Sequence, residues 1–372
     1  MYATELLKAW KQQELNVKAF GIGSRDMEKE GFEIIGRSEE LAVMGLQEII
    51  SHWPLIKKTF HSLVKEAAIR KPDVILLMDY PEFNLRLAKK LKELKLPIIY
   101  YISPQIWAWR TYRVHKIKKL IDLMLVLFPF EKEFYAKYGV PSEFVGHPLM
   151  DSLDELTPSK EEIERGRAEL LGLKYSHLLG LMPGSRNSEI KQNFETQIKT
   201  ANKVQKEQPH VLPVLFVAPS LDKDDLTKLS QKYGFKGKII QKTPFHMISL
   251  ADTILCASGT ATLMVGLCEK PMVVMYRMKP LTAFFAKRLV RHVPFFGMVN
   301  LVSQKEIVPE RFQEKANTKE LSKLLVELIC NQDGKREQIL VELKKLKLRL
   351  GHNGGINNLS EQILSFVESR KK

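Results

Sequence analysis

The stretch LMDYPEFN (77–84) ends an apolar run on Asp79. A carboxylate at the carboxyl end of a parallel strand lies where ligands bind in such sheets. The leucines and methionine before it would partly remove the carboxylate from water, which favours a general base. An aspartate that only caps the following helix is an equally good interpretation of the same pattern.

The stretch LGLMPGSRNSEI (179–190) predicts a strand, a tight loop and the start of a helix. Gly184 and Ser185 lie in the loop, whose amide groups can bind an anion together with the helix N-terminus. Arg186 adds a guanidinium that can fork onto a phosphate. The loop is not a P-loop, because the GxxxxGK[ST] spacing is missing. The alternative is a polar turn with a solvent-facing arginine.

The stretch CASGTATL (256–263) repeats this arrangement in the same half of the chain. Ser258, Gly259 and Thr260 are small residues that let a backbone approach a pyrophosphate, and two of them carry a hydroxyl. One such junction is also an ordinary helix cap, but two in one domain favour a nucleotide diphosphate that uses both. We find no nucleophile–His–Asp set and no metal-ligand spacing in the sequence, and we expect neither a metal nor a cofactor.

Aromatic and basic residues are interleaved in SPQIWAWRTYRVHKIKK (103–119), which includes Trp107, Trp109 and Arg110. This pattern occurs in nucleic-acid platforms, in membrane anchors and in enzymes with acidic substrates. We expect no nucleic acid, because no RNA- or DNA-binding module is present. The tryptophans then contact a sugar or an acyl chain, or pack in the core. His147 follows a strand and can point into the same site, although a hydrogen-bonded structural histidine is at least as good an interpretation.

Composition restricts the protein class and the partners. The 372 residues, 44% hydrophobic and 27% charged, are typical of a soluble globular protein with two domains. The net charge of +15 favours anionic partners: nucleic acid, anionic lipid or phosphorylated metabolites. Three isolated cysteines predict reduced thiols in a cytoplasmic protein. The longest apolar runs are about half of the roughly 20 residues that a membrane-spanning helix needs, so we expect only peripheral membrane contact.

Short apolar runs alternate with amphipathic segments, which predicts parallel βαβ units. In the first half the predicted strands are VKAFGIG (17–23), DVILLMD (73–79), PIIYYIS (97–103), LMLVLF (123–128) and EFVG (143–146). In the second half they are HLLGLMPG (177–184), VLPVLFVAP (211–219), KGKIIQ (236–241), DTILCAS (252–258) and KPMVVMYRM (270–278). The fold class is therefore α/β, with two doubly wound domains and a cleft between them.

The domain boundary is predicted near a helix that begins after Ser159. Ser159 and Glu162 fit a capping box, and Gly172 suits the C′ position. We expect an N-terminal domain over 1–158, a second domain over 159–345 and a C-terminal helical segment over 346–372. This last segment can pack back on the N-terminal domain.

Two stretches combine aromatic and basic residues in a way that suits anionic lipid. They are LAVMGLQEIISHWPLIKKTF (41–60) and LTAFFAKRLVRHVPFFGM (281–298). A core helix with a solvated basic edge is the alternative for each. The phenylalanines on both sides of the basic run in the second stretch favour a membrane interface.

In their order along the chain, these motifs resemble the lipid-A-disaccharide synthase family, a group of bacterial glycosyltransferases. The resemblance covers nearly the whole chain, and its motifs together are highly specific. The matching stretches are EELAVMGLQEII (39–50), KPDVILLMDYPEFN (71–84), YYISPQIWAWRTYRVHKI (100–117), LVLFPFEKEFYAKYGVPSEFVGHP (125–148), LMPGSRNSEI (181–190), ASGTATL (257–263) and PMVVMYRMKPLTAFFAKRLV (271–290).

The resemblance implies a GT-B fold, two Rossmann-like domains facing a cleft. It implies transfer of 2,3-diacylglucosamine from its UDP derivative to 2,3-diacylglucosamine 1-phosphate, giving a β-1,6-linked disaccharide by a single inverting displacement. Asp79 would be the base for the acceptor hydroxyl, and Arg186 with the Ser258–Thr260 loop would belong to the UDP-binding half. The remaining positions that it assigns near the cleft are Tyr276, Arg277 and Asn300. The basic charge, together with these acylated substrates, predicts a cytoplasmic protein that associates peripherally with the inner membrane, and a homo-oligomer stays open.

Two departures from the family pattern are visible. The family normally opens with a strand and a G-E-[AT]-S-G-D loop, whereas Met1 falls just after that motif. The family also usually has Glu where this chain has Met264, a plausible contact to the nucleotide. We therefore expect either that the true start lies upstream or that the chain is a truncated remnant, which binds UDP-sugar or lipid without turnover.

Overall fold

The computed structural model describes residues 2–41, 46–278, 295–351 and 354–370, and it leaves out the side chains of 46–52, Trp109 and Asp154. The chain divides into two compact units. The first comprises Met1–Pro148 and His352–Lys372, and the second comprises Leu149–Gly351. The division thus falls after residue 148, whereas the sequence places it after residue 158.

The described part of the first unit contains two parallel sheets. Its strands are β1 Phe20–Gly23, β2 Glu33–Arg37, β3 Ile75–Met78, β4 Ile98–Tyr101, β5 Leu123–Val126 and β6 Ser142–Phe144. Its helices are α1 Tyr2–Gln12, α2 Arg25–Lys29, α3 Ser38–Leu41, α4 Leu46–Arg70, α5 Pro81–Glu93, α6 Ile106–Trp109, α7 Val114–Leu120, α8 Pro129–Lys137 and α18 Gly355–Ser369. Strand β1 pairs with β2, and the other four follow the order β3-β4-β5-β6.

Strand β4 lies at the centre of the first unit's core. All four of its residues are fully buried, as expected for a parallel strand that is covered on both faces. Helices α5 and α7 pack against this sheet and against each other through leucine, isoleucine and alanine side chains. This packing fixes the carboxyl ends of β3 and β4, where the motif around Asp79 lies.

The described part of the second unit contains one six-stranded parallel sheet in the order β12-β11-β10-β7-β8-β9. The strands are β7 His177–Met182, β8 Val211–Phe216, β9 Lys238–Ile240, β10 Thr253–Ala257, β11 Met272–Tyr276 and β12 Glu310–Phe312. The helices are α9 Pro148–Leu156, α10 Lys160–Leu171, α11 Asn187–Glu207, α12 Lys223–Lys232, α13 Pro244–Leu250, α14 Thr260–Leu267, α15 Met298–Ser303, α16 Thr318–Cys330 and α17 Lys335–Arg349. This order reverses direction between β7 and β10, which is the switch point where such sheets bind ligands.

The ten strands predicted from sequence all overlap observed strands. Strands β2 and β12 were not predicted. Their sequences, EIIGR and ERF, are short and contain charged residues, and none of their residues is fully buried. The capping box is confirmed: the Glu162 N–H donates to Ser159 Oγ at 3.2 Å, and the Ser159 N–H donates to Glu162 Oε2 at 2.9 Å. Gly172 ends α10 with a φ of +56°.

Helix α18 belongs to the first unit although it ends the chain. It packs against α1, where the Trp10 indole N–H donates to Ser360 Oγ at 2.8 Å in the interior. The Gly146 backbone lies close to Gly355, since a Cβ atom on Gly146 would lie 3.4 Å from Gly355 Cα. Among the described helices, none is long and apolar enough to cross a bilayer.

Candidate active site

The chain between β3 and α5 makes an unusual turn at Asp79. Asp79 and Tyr80 both adopt left-handed backbone conformations, with φ values of 48° and 44°. This region costs a non-glycine residue about 1–2 kcal/mol. Two such residues in succession persist only where the surrounding structure holds them, and strain of this kind is concentrated at functional sites.

Buried side chains of the first unit hold the turn through hydrogen bonds to its carbonyl groups. Asn84 Nδ2 donates to the carbonyl oxygens of Met78 at 2.9 Å and Asp79 at 2.7 Å. The Tyr100 hydroxyl donates to the Asp79 carbonyl oxygen at 2.6 Å. Burial, with a smaller contribution from the charge of Asp79, raises the pKa of Tyr100 well above its ordinary value, so its hydroxyl stays a donor.

The Asp79 side chain is accessible to solvent, unlike the side chains that hold its backbone. Asp79 is exposed, so the expected partial desolvation by the preceding apolar residues is wrong. The helix-cap interpretation is also wrong, because the residue at the N-cap of α5 is Tyr80, which makes no side-chain capping bond. The turn therefore presents a carboxylate to solvent at the carboxyl end of β3, and α5 begins at Pro81 without its help.

The residues of the Trp-basic stretch are mostly engaged with the first unit. Trp107 donates its indole N–H to Glu131 Oε1 at 3.1 Å and packs edge-on against Phe130. Arg110 and Arg113 both pair with Glu82 Oε1, at 2.6 Å and 2.7 Å. Trp107 is thus a packing residue that remains half-exposed, while the Trp109 side chain lies outside the described residues.

Two buried titratable groups lie in the same unit. Glu131 is 2% exposed, and burial raises its pKa to about 7, opposed by hydrogen bonds that include those from Trp107 and the Phe128 amide. His147 is 4% exposed, and burial lowers its pKa to about 4. A neutral histidine packed 5.1 Å from the Phe128 ring supports the structural interpretation rather than an acceptor contact.

The loop between β7 and α11 is held by an acid from the helix that follows it. The Ser185 N–H donates to Glu189 Oε2 at 2.8 Å. Gly184 has a φ of +131°, and a Cβ atom there would lie 2.5 Å from Glu189 Cβ. The Ser185 amide is therefore occupied by a carboxylate in this structure, contrary to the expectation that it donates to a phosphate. Arg186 is 63% exposed, with its guanidinium 3.6 Å from Glu189 Oε1.

The loop between β10 and α14 leaves open space above its backbone. Gly259 has a φ of +150°, and a Cβ atom there would meet nothing within 4 Å. Thr260 is exposed at the first turn of α14, whereas the Ser258 hydroxyl donates to the Phe296 carbonyl at 2.7 Å. Gly259 and Thr260 can approach a ligand, and Ser258 is a loop-fixing residue in this arrangement.

The two loops meet at one edge of the sheet. Strand β10 pairs with β7 along its length, ending with Cys256 opposite Met182. The loops that carry Arg186 and Thr260 therefore leave neighbouring strands at the switch point of the second unit. Both junctions expected from sequence are present, and they follow adjacent strands of the sheet.

The other residues assigned to the UDP-binding half differ in access. Tyr276 is half-buried, and burial followed by the charge of Glu189 raises its pKa. Arg277 is exposed and donates from its guanidinium to Thr196 Oγ1 at 2.6 Å. Asn300 is completely buried, and its assignment to the UDP-binding half stays a prediction.

Hydrogen bonds from the Asn300 side chain connect α15 to β12 and to the residues that precede this strand. Its Nδ2 donates to the Val308 carbonyl at 2.9 Å and to Glu310 Oε2 at 3.0 Å. Its Oδ1 accepts from the Ile307 and Val308 amides at 2.8 Å and 3.1 Å. These bonds use the whole capacity of the amide.

Asn84, Tyr100, Glu131 and Glu189 were not predicted as parts of the site. Asn84 lies inside the quoted LMDYPEFN motif, so its proximity to Asp79 in sequence was the available signal. Among the described residues, no cluster of three or more His, Cys, Asp or Glu side chains is arranged to hold a metal ion.

Solved structures with low sequence identity share the fold of this chain. An S. aureus MnaA–UDP co-structure matches 99% of this chain and 93% of its own, with a TM-score of 0.64 and 13% identity. The calicheamicin glycosyltransferase matches 100% and 95%, with a TM-score of 0.61 and 11% identity. At these identities the likeness shows the fold alone, and it confirms the predicted GT-B class.

Comparison of sequences identifies the family. The family model described as lipid-A-disaccharide synthetase matches residues 1–367. The lipid-A-disaccharide synthase of Myxococcus xanthus is 35% identical over 367 residues, 98% of this chain and 94% of that protein. Lipid-A-disaccharide synthase 1 of Legionella pneumophila (strain Lens) is 37% identical over 371 residues, 99% and 95%. The chain therefore belongs to the lipid-A-disaccharide synthetase family, and it is a glycosyltransferase of lipid A synthesis.

Proposed function

We propose that the chain transfers 2,3-diacylglucosamine from its UDP derivative to 2,3-diacylglucosamine 1-phosphate, with inversion at the anomeric carbon. Asp79 takes the proton from the attacking acceptor hydroxyl. The new bond joins that oxygen to the anomeric carbon, while the bond from this carbon to the UDP oxygen breaks. The product is a β-1,6-linked disaccharide, and UDP leaves with the bonding electrons.

The observation that best supports this proposal is the exposure of the Asp79 carboxylate on a turn whose backbone is fixed. An exposed carboxylate at the carboxyl end of β3, on a strained turn whose backbone is fixed from the core, has the form expected of a base that must meet a substrate. The resemblance to the family implies the same role for this residue. The relatives are named as synthases of the lipid A disaccharide, and their names support the assigned product.

The second unit supplies the UDP half of the proposal. Arg186 extends an unburied guanidinium beside the β7 loop, and Gly259 and Thr260 expose backbone and a hydroxyl beside the β10 loop. These groups are suited to the growing charge of a leaving diphosphate. A structural neighbour was determined with UDP, which is consistent with a UDP-sugar donor. Tyr276 and Arg277 lie at the carboxyl end of β11 and complete the set.

The test is the rate of UDP release from both acylated sugars with wild-type protein and Asp79→Asn. We expect kcat to fall by about 10²-fold to 10⁴-fold, as for a lost general base, while the Kd for UDP is unchanged. Asp26→Asn, a change at an exposed aspartate of the same unit, is the matched control. A wild-type protein that binds UDP but releases none from the two substrates is the non-catalytic remnant instead.

We also propose peripheral contact with the anionic inner membrane from the cytoplasmic side. Trp53 and Tyr80 are 50% and 49% exposed, and Tyr80 is next to Asp79. Lys57 and Lys58 are exposed on the same helix as Trp53. Aromatic and basic side chains together suit an interface with anionic lipid. The stretch 281–298 falls largely outside the described residues.

Flotation with liposomes tests this contact. We expect the protein to float with vesicles that contain anionic lipid, and to float less after Trp53→Ala with Lys57→Ala and Lys58→Ala. Absence from both anionic and neutral vesicles would contradict the membrane proposal. Binding to a nucleic acid with a steep loss in salt would contradict the expectation that nucleic acid is not a partner.

A further inference from the structure

We infer that Asn84 and Tyr100 are positioning residues that aim the carboxylate of Asp79. The inference rests on the proposed role of Asp79 as the base. It extends that role to two side chains that touch no substrate and act through the backbone of one residue.

The two residues act on the same carbonyl group. The oxygen of Asp79 accepts one bond from Asn84 Nδ2 and one from the Tyr100 hydroxyl, at 2.7 Å and 2.6 Å. The Asp79 N–H donates to the Tyr101 carbonyl at 3.2 Å, which continues the ladder between β3 and β4. Both backbone polar groups of Asp79 are therefore bound to the core of the first unit.

The donors themselves cannot move easily. Asn84 is 8% exposed on α5, and Tyr100 is completely buried in the central strand β4. The Asn84 side-chain amide donates one hydrogen to each of two successive carbonyls, those of Met78 and Asp79. These two bonds fix the start of the left-handed turn. A rotated turn would leave buried donors without acceptors, and this outcome is costly.

The carboxylate has no comparable support of its own. The hydrogen bonds described above all involve the backbone of Asp79, and its side chain is exposed. Its direction therefore depends on the backbone beneath it. A catalytic group displaced by about 1 Å can lose about 10²-fold in rate, so a loosened turn is expected to affect chemistry before it affects binding.

The experiment compares Tyr100→Phe and Asn84→Ala in two backgrounds, wild type and Asp79→Asn. In the wild type we expect kcat to fall about 10-fold for Tyr100→Phe and about 10²-fold for Asn84→Ala. The KM for the UDP-sugar and the Kd for UDP should stay within about twofold, because the UDP loops belong to the second unit. In the Asp79→Asn background neither change should lower the residual rate further.

Tyr135→Phe is the matched control. Tyr135 is also completely buried in the first unit, and its hydroxyl is 3.0 Å from Ser103 Oγ rather than bonded to the Asp79 turn. This variant should keep the wild-type kcat. If Asn84→Ala does not fold, as judged by thermal unfolding, Tyr100→Phe alone decides the result, since it removes one oxygen atom.

The outcomes separate the inference from the function on which it rests. Equal losses in both backgrounds, or a folded Tyr100→Phe with wild-type kcat, overturn the positioning role and leave Asp79 as the base. A fully active Asp79→Asn overturns the proposed base and the positioning role with it. Losses confined to the wild-type background, with unchanged UDP affinity, support the inference.

Discussion

The junctions that carry Asp79 and Arg186 expose a charged side chain in two different ways. At Asp79 the backbone is strained and non-glycine, and it is held by buried side chains from α5 and β4. At Arg186 a glycine takes the unusual conformation, and an acid from the next helical turn holds the loop. In both cases the loop is fixed by hydrogen bonds from other residues and not by the exposed charged side chain.

The difference matches the proposed tasks. A base must point in one direction, and direction is what a network anchored in the core provides. A phosphate site needs backbone and a mobile cation close to the ligand, and glycines leave that space. We therefore expect changes at the first junction to act on the rate of chemistry, and changes at the second to act on UDP affinity.

At the second junction the largest expected effect comes from Arg186→Ala. Loss of the guanidinium should lower kcat/KM by about 10²-fold to 10³-fold, as for other lost stabilisers of developing charge. It should also weaken UDP binding measured by calorimetry, which Asp79→Asn should not do. The thermal midpoint should barely change, because Arg186 is 63% exposed and only loosely paired with Glu189.

Arg165→Ala controls for the loss of a surface arginine in the same unit, since Arg165 is exposed on α10. Unchanged UDP affinity in Arg186→Ala would contradict the proposal that the first junction acts on rate and the second on UDP affinity. It would leave Arg186 as the solvent-facing arginine that the sequence pattern equally allowed.

Gly184→Ala and Gly259→Ala compare two glycines that differ in available space. Both have backbone conformations that cost another residue about 1–3 kcal/mol. At Gly184 the new Cβ atom also collides with Glu189 Cβ, which adds about 1–3 kcal/mol of overpacking. Unfolding in urea should therefore show the larger loss of stability for Gly184→Ala.

UDP affinity is the second measurement on these variants. Gly259→Ala places a methyl group in the open space above the β10 loop, so it should weaken UDP binding more than its modest loss of stability implies. Equal stability losses for the two variants would show that space beside Glu189 is not limiting.

Glu131 shows what happens when a junction acid is fully buried. Its side chain accepts from the Leu127 and Phe128 amides at 3.3 Å and 3.2 Å, before α8. Burial raises its pKa from an ordinary 4.5 to about 7. Between these values the unfolded chain ionises while the folded protein keeps the proton, so stability falls as the pH rises. The full cost above pH 7 is about 3 kcal/mol.

Glu131→Gln removes this titration. Between pH 4.5 and pH 8, the unfolding free energy of the wild type should fall by about 3 kcal/mol relative to that of the variant. His147 has a lowered pKa and acts in the opposite sense on acidification, but it is present in both proteins and cancels. A constant difference across this range would refute the buried titration. Glu133→Gln, at an exposed position on the same helix, supplies the baseline.

The α/β class and the ten predicted strands followed from apolar runs, the pattern of parallel strands that are buried on both faces, as β4, β8 and β10 are. Strands β2 and β12 are short and half-buried, and they carry no such run. Their place depends on pairing with strands that are already formed, which single-sequence patterns do not record.

The position of charged groups was predictable, but their surroundings were not. The motifs placed Asp79, Arg186 and Thr260 at strand ends, where the structure has them. The exposure of Asp79 depends on a turn fixed by Tyr100, which lies in another strand. The burial of Asn300 depends likewise on contacts with residues before β12. Local sequence does not contain these long-range bonds.

The smallest expected effect concerns Glu82, which pairs with Arg110 and Arg113 near the Asp79 junction. The hydrogen bond from Arg113, with a smaller one from Arg110, lowers the pKa of Glu82. Its side chain is 61% exposed, so solvent screens both pairs. Glu82→Gln should therefore reduce the unfolding free energy by less than about 1 kcal/mol at low salt, and by still less at 0.5 M salt.

The same variant sharpens the division between side chains that hold the Asp79 turn and those that merely surround it. Glu82 follows Pro81 on α5, close in sequence to Asn84, but it donates nothing to the strained carbonyls. Its loss should leave kcat within about twofold, whereas Asn84→Ala should lower kcat strongly. A large kcat effect from Glu82→Gln would mean that the direction of Asp79 depends on the exposed charges as well as on the buried donors.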